Sequence, residues 1–182
     1  PNAATLLNAM LEGYTLTIPQ TGEVIEPHPK ARYFATQNPI DGKSAVQGRY
    51  VQDSASDDRF MEMWVDYIEA ELETKVIVSA IRKYDAKNSD EAVLKLAEGF
   101  VTVANAVRAN FVRNDQAENA AFHKPLSTRV LKRWAQLTVG FRTVTTEPPM
   151  LYALKRAFSG ISAEMREAVE KVIQDEIGIK RD

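Results

Sequence analysis

Around Asp66–Glu69 the spacing of apolar residues changes, and no single architecture satisfies both sides of the change. From Ile68 onward the apolar residues recur at helical spacing almost to the end of the chain. Leu72, Val76, Ala80 and Ile81 share one face of a helix expected to end near Tyr84. Asn88-Ser89-Asp90 offers N-cap chemistry for a long helix reaching about Val112, with Val93, Leu96, Ala97, Phe100, Ala104, Val107 and Phe111 inward. Gly99 lies inside that helix, where it costs about 1 kcal/mol relative to alanine. Residues from Asn114 to Pro125 read as a loop. Ser127 then caps a helix that turns Val130, Leu131, Trp134 and Leu137 inward. After the Thr145–Pro149 break, a helix from Met150 to Phe158 stops at Gly160. A last helix runs from about Ala163 to Ile177, before Gly178.

Before the change the pattern is mixed. Leu6, Leu7, Met10 and Leu11 mark a short helix, Ala3 to Glu12, ended by Gly13. Tyr14–Ile18 and Glu23–Glu26 flank the turn residues Pro19-Gln20-Thr21-Gly22, which is a hairpin pattern. Tyr33-Phe34-Ala35 has strand character and should stop near Asn38, because Pro39 restrains the residue before it and lacks an N–H. Phe60–Val65 reads as a largely buried strand. Two or three strands with no covering helices make a poor domain. The expected fold is therefore an α/β remnant (helix, β-hairpin, one or two sheet strands) over residues 1–67, followed by an all-helical region over 68–182. The chain starts at Pro1 rather than methionine, in front of a helical pattern, and a truncated α/β unit is the expectation.

Bulk properties exclude several functions. The chain has 182 residues and no cysteine, so disulfides and thiolate metal sites are ruled out. Its net charge of −2 gives no footprint for nucleic acid or an anionic membrane. No apolar run approaches the roughly 20 residues that span a bilayer, and a cytoplasmic location is expected. His28 and His123, the two histidines, are far apart and without acidic metal-site spacing, so no metal site is expected.

Candidate chemistry concentrates in residues 31–60. Ala35-Thr36-Gln37-Asn38-Pro39 places a neutral amide at a strand tip, and Asp58-Arg59-Phe60 supplies a guanidinium some twenty residues later. On local sequence alone Asn38 reads more readily as a turn cap, and the alternative for Arg59 is a surface pair with Asp58. Arg129 follows Ser127-Thr128 in the first turn of a helix. A cation is electrostatically unfavourable there, so an anionic partner would make sense of it; an exposed arginine on a capped helix is the alternative.

Taken in order, helix, hairpin, ATQNP pentapeptide, loop, Asp58-Arg59-Phe60, strand and helical region resemble the C-terminal half of an AAA+ ATPase module. The likeness is to the MoxR group and its relatives, the cobaltochelatase CobS-like and NirQ/NorQ/CbbQ-like ATPases. It implies that residues 1–67 are the end of the α/β core and 68–182 the helical lid. It makes Asn38 sensor 1, which aligns the attacking water. Arg59 becomes the arginine finger, which stabilises transition-state charge in a neighbouring subunit of a ring, commonly a hexamer. Arg129 becomes sensor 2, reading nucleotide phosphates from the lid. The stretch Val51-Gln52-Asp53-Ser54-Ala55 stands where MoxR proteins carry a Leu-Pro-Glu-Ala-like run, which favours the CobS-like or NirQ-like relatives.

ATP and magnesium are the cofactors that the resemblance implies for the intact module. The sequence has no G-x-x-x-x-G-K-[ST] loop and no apolar strand ending in Asp-Glu, so this chain alone is expected to bind nucleotide poorly and hydrolyse none. The implied role is coupling ATP hydrolysis to remodelling of, or metal insertion into, a partner protein such as a chelatase or a von Willebrand A-type protein. The alternative from another class is a non-catalytic helical interaction domain with a hairpin appendage.

Overall fold

A computed structural model describes residues 8–36, 59–114 and 121–180. The chain divides into two compact units, Pro1–Val65 and Asp66–Asp182.

In the first unit, residues 8–11 are helical. The Tyr14 amide donates to the Ala9 carbonyl (2.8 Å) and the Gly13 amide to that of Met10 (3.0 Å). This is the bonding of a Schellman stop. It needs a left-handed residue, and Gly13 supplies it at φ 85°. Strands β1 (Leu16–Thr17) and β2 (Val24–Ile25) pair antiparallel, Leu16 opposite Ile25 and Thr17 opposite Val24. The turn closes through Gly22, at φ 69°, whose amide donates to the Ile18 carbonyl (2.8 Å). The hairpin thus forms where its turn chemistry placed it, with a shorter ladder than its β-rich sequence suggested.

The further sheet strands do not form. Residues 31–36 and 61–69 have no regular secondary structure, so neither Tyr33-Phe34-Ala35 nor Phe60–Val65 is a strand. Phe34 is 94% exposed and Met61 97%, with Met63, Trp64 and Val65 also largely in solvent. The physical reason is pairing. A strand persists only when a neighbour takes its N–H and C=O groups, and among the described residues the only ladder is β1–β2. Apolar sequence proposes a buried strand, but a sheet has to exist to bury it.

Among its described residues the second unit has helices and no strand. Its elements are α1 (Ala70–Arg82), α2 (Asp90–Asn114), α3 (Thr128–Gly140), α4 (Pro149–Ala157) and α5 (Ala163–Ile177). Helix α1 packs on α2 and α3, α2 also on α3 and α5, and α3 on α4. Caps define the starts. Ser89 Oγ accepts from the Ala92 amide, Ser127 Oγ from that of Val130, and Ser162 Oγ from that of Met165. Helix α4 instead begins on Pro149, whose missing N–H costs nothing in a first turn. Gly178, at φ 73°, ends α5.

The core lies between these helices. Trp134 and Phe100 meet edge to face, with ring centres 4.8 Å apart, and both are fully buried. The indole N–H is satisfied by the Met150 carbonyl at 2.8 Å, which ties α3 to the start of α4. Ile77, Ile81, Leu131, Leu151, Leu154, Met165, Val169 and Ile173 complete the packing. Between α1 and α2, Arg82 donates to the carbonyls of Asn88 (2.7 Å) and Asp85 (3.3 Å) and pairs with Asp90, which fixes the connecting turn.

One face departs from the expected pattern. Helix α1 buries Glu73, Thr74, Ile77, Ala80 and Ile81, while Leu72 is 52% exposed and Val76 37%. The inward face is rotated by about one residue from the most apolar one, and a carboxylate has entered the core.

Candidate functional site

The start of α3 is held by a buried network of side chains. Three connected groups fix it. Arg108, on α2, makes a two-point pair with Glu73 of α1: Nη1 donates to Oε2 at 2.7 Å and Nη2 to Oε1 at 2.8 Å. Its Nε donates to the Leu126 carbonyl at 2.7 Å, and Nη1 also donates to Asn105 Oδ1 at 3.0 Å. The Thr128 hydroxyl, at the first residue of α3, donates to Glu73 Oε1 at 2.6 Å. The Arg108 guanidinium lies 3.8 Å from the centre of the Tyr67 ring. Glu73 is wholly buried and Arg108 nearly so.

Such a pair would be costly without its extra bonds, because desolvating two charges outweighs their attraction unless the remaining donors and acceptors are satisfied. Here they are satisfied. Burial pushes the Glu73 carboxyl up, but hydrogen bonds from Arg108 and Thr128 and the guanidinium charge outweigh it, so Glu73 is held below the usual glutamate range. The residues so clamped, Leu126 and Thr128, flank the Ser127 cap.

Arg129 is the next residue. It lies in the first turn of α3 and is exposed, with neither a hydrogen bond nor an ion pair among the described residues. Helix α3 has no acid in its first turn, unlike α1, α2 and α5. A guanidinium at the positive end of a helix dipole has the donor chemistry of a phosphate ligand.

The other expected site residues lie elsewhere. Arg59 belongs to the first unit, where its Nε donates to Glu12 Oε1 at 2.6 Å and the pair is partly exposed. Asn38 lies outside the described residues. No group of three or more His, Asp or Glu side chains among the described residues is arranged to hold a metal.

Sequence reasoning missed the Glu73–Arg108 clamp. A signal for it existed. Glu73 stands four residues before Ile77, and Arg108 four after Ala104, so each charge occupies a core register on its own helix. Opposite charges in two core registers point to pairing.

Residues 86–176, half of the chain and all within the helical unit, match the CbbQ/NirQ/NorQ C-terminal family. The chain belongs to this family, and it is a C-terminal AAA+ ATPase-related module of the MoxR/CobS/NirQ-like group. It is similar to the aerobic cobaltochelatase subunit CobS of Sinorhizobium sp, at 26% identity over 142 residues, 75% of this chain and 40% of that protein. A second similarity is to midasin of Dictyostelium discoideum, at 46% identity over 69 residues, 37% of this chain and 1% of that protein. The chain thus spans well under half the length of the curated relatives it matches. No solved structure matches it.

Proposed function

We propose that this chain is the nucleotide-responsive lid of a ring-forming ATPase, together with the last part of its α/β core. In this reading Arg129 contacts the phosphates of ATP bound to the same subunit. Asn38 aligns the attacking water, and Arg59 reaches the γ-phosphoryl group held by a neighbour. ATP and magnesium act in the intact module, whose phosphate-cradling loop is not part of this sequence. Membership of the CbbQ/NirQ/NorQ C-terminal family carries the reading. The rigidly held start of α3, which presents an exposed guanidinium, supports it.

The chemistry asks little covalent work of the protein. Charge spreads over the γ-phosphoryl oxygens in the transition state, and a cation aimed there lowers the barrier. A partly exposed pair such as that of Arg59 with Glu12 is worth about 0.2–1 kcal/mol. The lid supplies a second cation, and its angle then depends on whether phosphate is present.

Similarity to a cobaltochelatase subunit supports an output in which hydrolysis remodels, or helps insert metal into, a partner protein. The ring is most simply a homo-oligomer, because a finger acting in trans needs a neighbour that holds a nucleotide, and a second copy of the same protein supplies one. In the intact protein, Arg59→Ala should leave nucleotide binding within about twofold and lower kcat by about 10³-fold or more. Unchanged kcat would remove Arg59 from the site.

A further inference from the structure

The exposed apolar strip of α1 borders a basic trough. Lys75, Val76, Ser79, Ala80 and Lys83 from α1 and its C-terminal end, with Lys132 from α3, line an open groove of about 300 Å³. Leu72 and Val76, one turn apart, carry the sequence's apolar stripe, yet the helix turns Glu73 and Ile77 into the core instead. Among the described residues Leu72 and Val76 therefore stay exposed.

The rim is positive against a chain whose net charge is −2. Lys75 is bonded to Glu71 one turn away, in an exposed pair of little energetic weight. Lys83 and Lys132 have no acidic partner among the described residues. Two of the three ammonium groups around the groove thus lack a carboxylate among the described residues, and like charges so placed favour an anionic partner. An apolar edge beside a cationic rim is the surface that an amphipathic helix recognises when its polar face is acidic.

We propose that the α1–α3 groove docks an acidic amphipathic segment of a partner protein. Its apolar face would cover Leu72 and Val76, and its carboxylates would meet Lys75, Lys83 and Lys132. The proposal does not require Arg129 to contact nucleotide, so it stands or falls separately from the lid reading.

The test is fluorescence anisotropy on this chain with two labelled helical peptides. One has a leucine stripe and glutamate elsewhere; in the other, lysine replaces glutamate. The acidic peptide should bind and weaken with added salt. It should lose about tenfold or more in affinity to Lys75→Glu/Lys83→Glu/Lys132→Glu, and several-fold to Val76→Ser, a small surface change that leaves the rim intact. The lysine peptide should not bind. Circular dichroism on both variants verifies that the helices are retained; if the triple variant unfolds, Val76→Ser alone decides. Four results would overturn the proposal: equal binding of both peptides, no effect of the variants, displacement of the peptide by ATP or inorganic phosphate at equal charge, or self-association of the free chain through the groove that the triple variant abolishes. The third would assign the lysines to a nucleotide site, the fourth to a second copy of this chain.

Discussion

The residue that most determines the helical unit is an acid in its core. Glu73 neutralises Arg108, and together they satisfy Thr128 and the Leu126 carbonyl. Removing one partner leaves a buried charge unpaired, which costs about 3–5 kcal/mol. Glu73→Ala should therefore destabilise the unit by that amount in urea unfolding. The pair Glu73→Leu/Arg108→Met should cost much less than the two single changes summed. The pH dependence has a definite sign. The folded carboxyl titrates below its ordinary value of 4.5, so its contribution is fully present above pH 4.5 and is lost as pH falls through the folded value. Stability measured downward from pH 5 should fall less steeply in Glu73→Gln than in the wild type. Equal slopes would mean that another carboxylate governs the acid limb. Such polar cores are hard to read in advance. The sequence marks each charge as ordinary surface, and only the meeting of three elements makes Glu73, on α1, the acceptor for groups on α2 and α3. Ser127, by contrast, was legible, because a cap acts within its own turn.

At the scale of elements, the five helices follow from periodicity and caps, and each stop signal has a local cause. Gly13, Gly22 and Gly178 adopt the positive φ that their turn positions require. Gly99 does not. It sits within α2, and a Cβ there would meet Ile177 Cγ2 at 3.6 Å, an ordinary contact. Gly99→Ala should thus raise stability by about 0.5–1 kcal/mol through helix propensity. A loss of stability would show that α2 and α5 pack more tightly than the present geometry. What periodicity could not settle was which of two adjacent faces of α1 turns inward. Leu72-Val76-Ala80 and Ile77-Ala80-Ile81 overlap, and the choice fell to the face that carries the carboxylate Arg108 needs. Likewise Phe60–Val65 carries strand composition, and composition cannot supply the neighbouring strand.

For the whole molecule, the two units divide the expected chemistry. Arg129 belongs to the helical unit and Arg59 to the first. Among the described residues no helix is long and apolar enough to cross a membrane. The family and the mainly helical fold were legible because they rest on ordered local signals along the chain. The site was legible only as residue types: Asn38 lies outside the described residues, and Arg59 and Arg129 belong to different units. In the proposed ring the sites are shared between subunits, with Asn38 acting in its own and Arg59 in the next. The direct test is to mix two inactive variants of the intact protein, Asn38→Ala and Arg59→Ala, and measure ATP hydrolysis. Each alone should be nearly inactive. The mixture should regain part of the wild-type rate, because an intact Asn38 pocket then meets an intact Arg59 from its neighbour. A mixture as inactive as its components, or an Arg59→Ala protein with the full wild-type rate, would contradict the account.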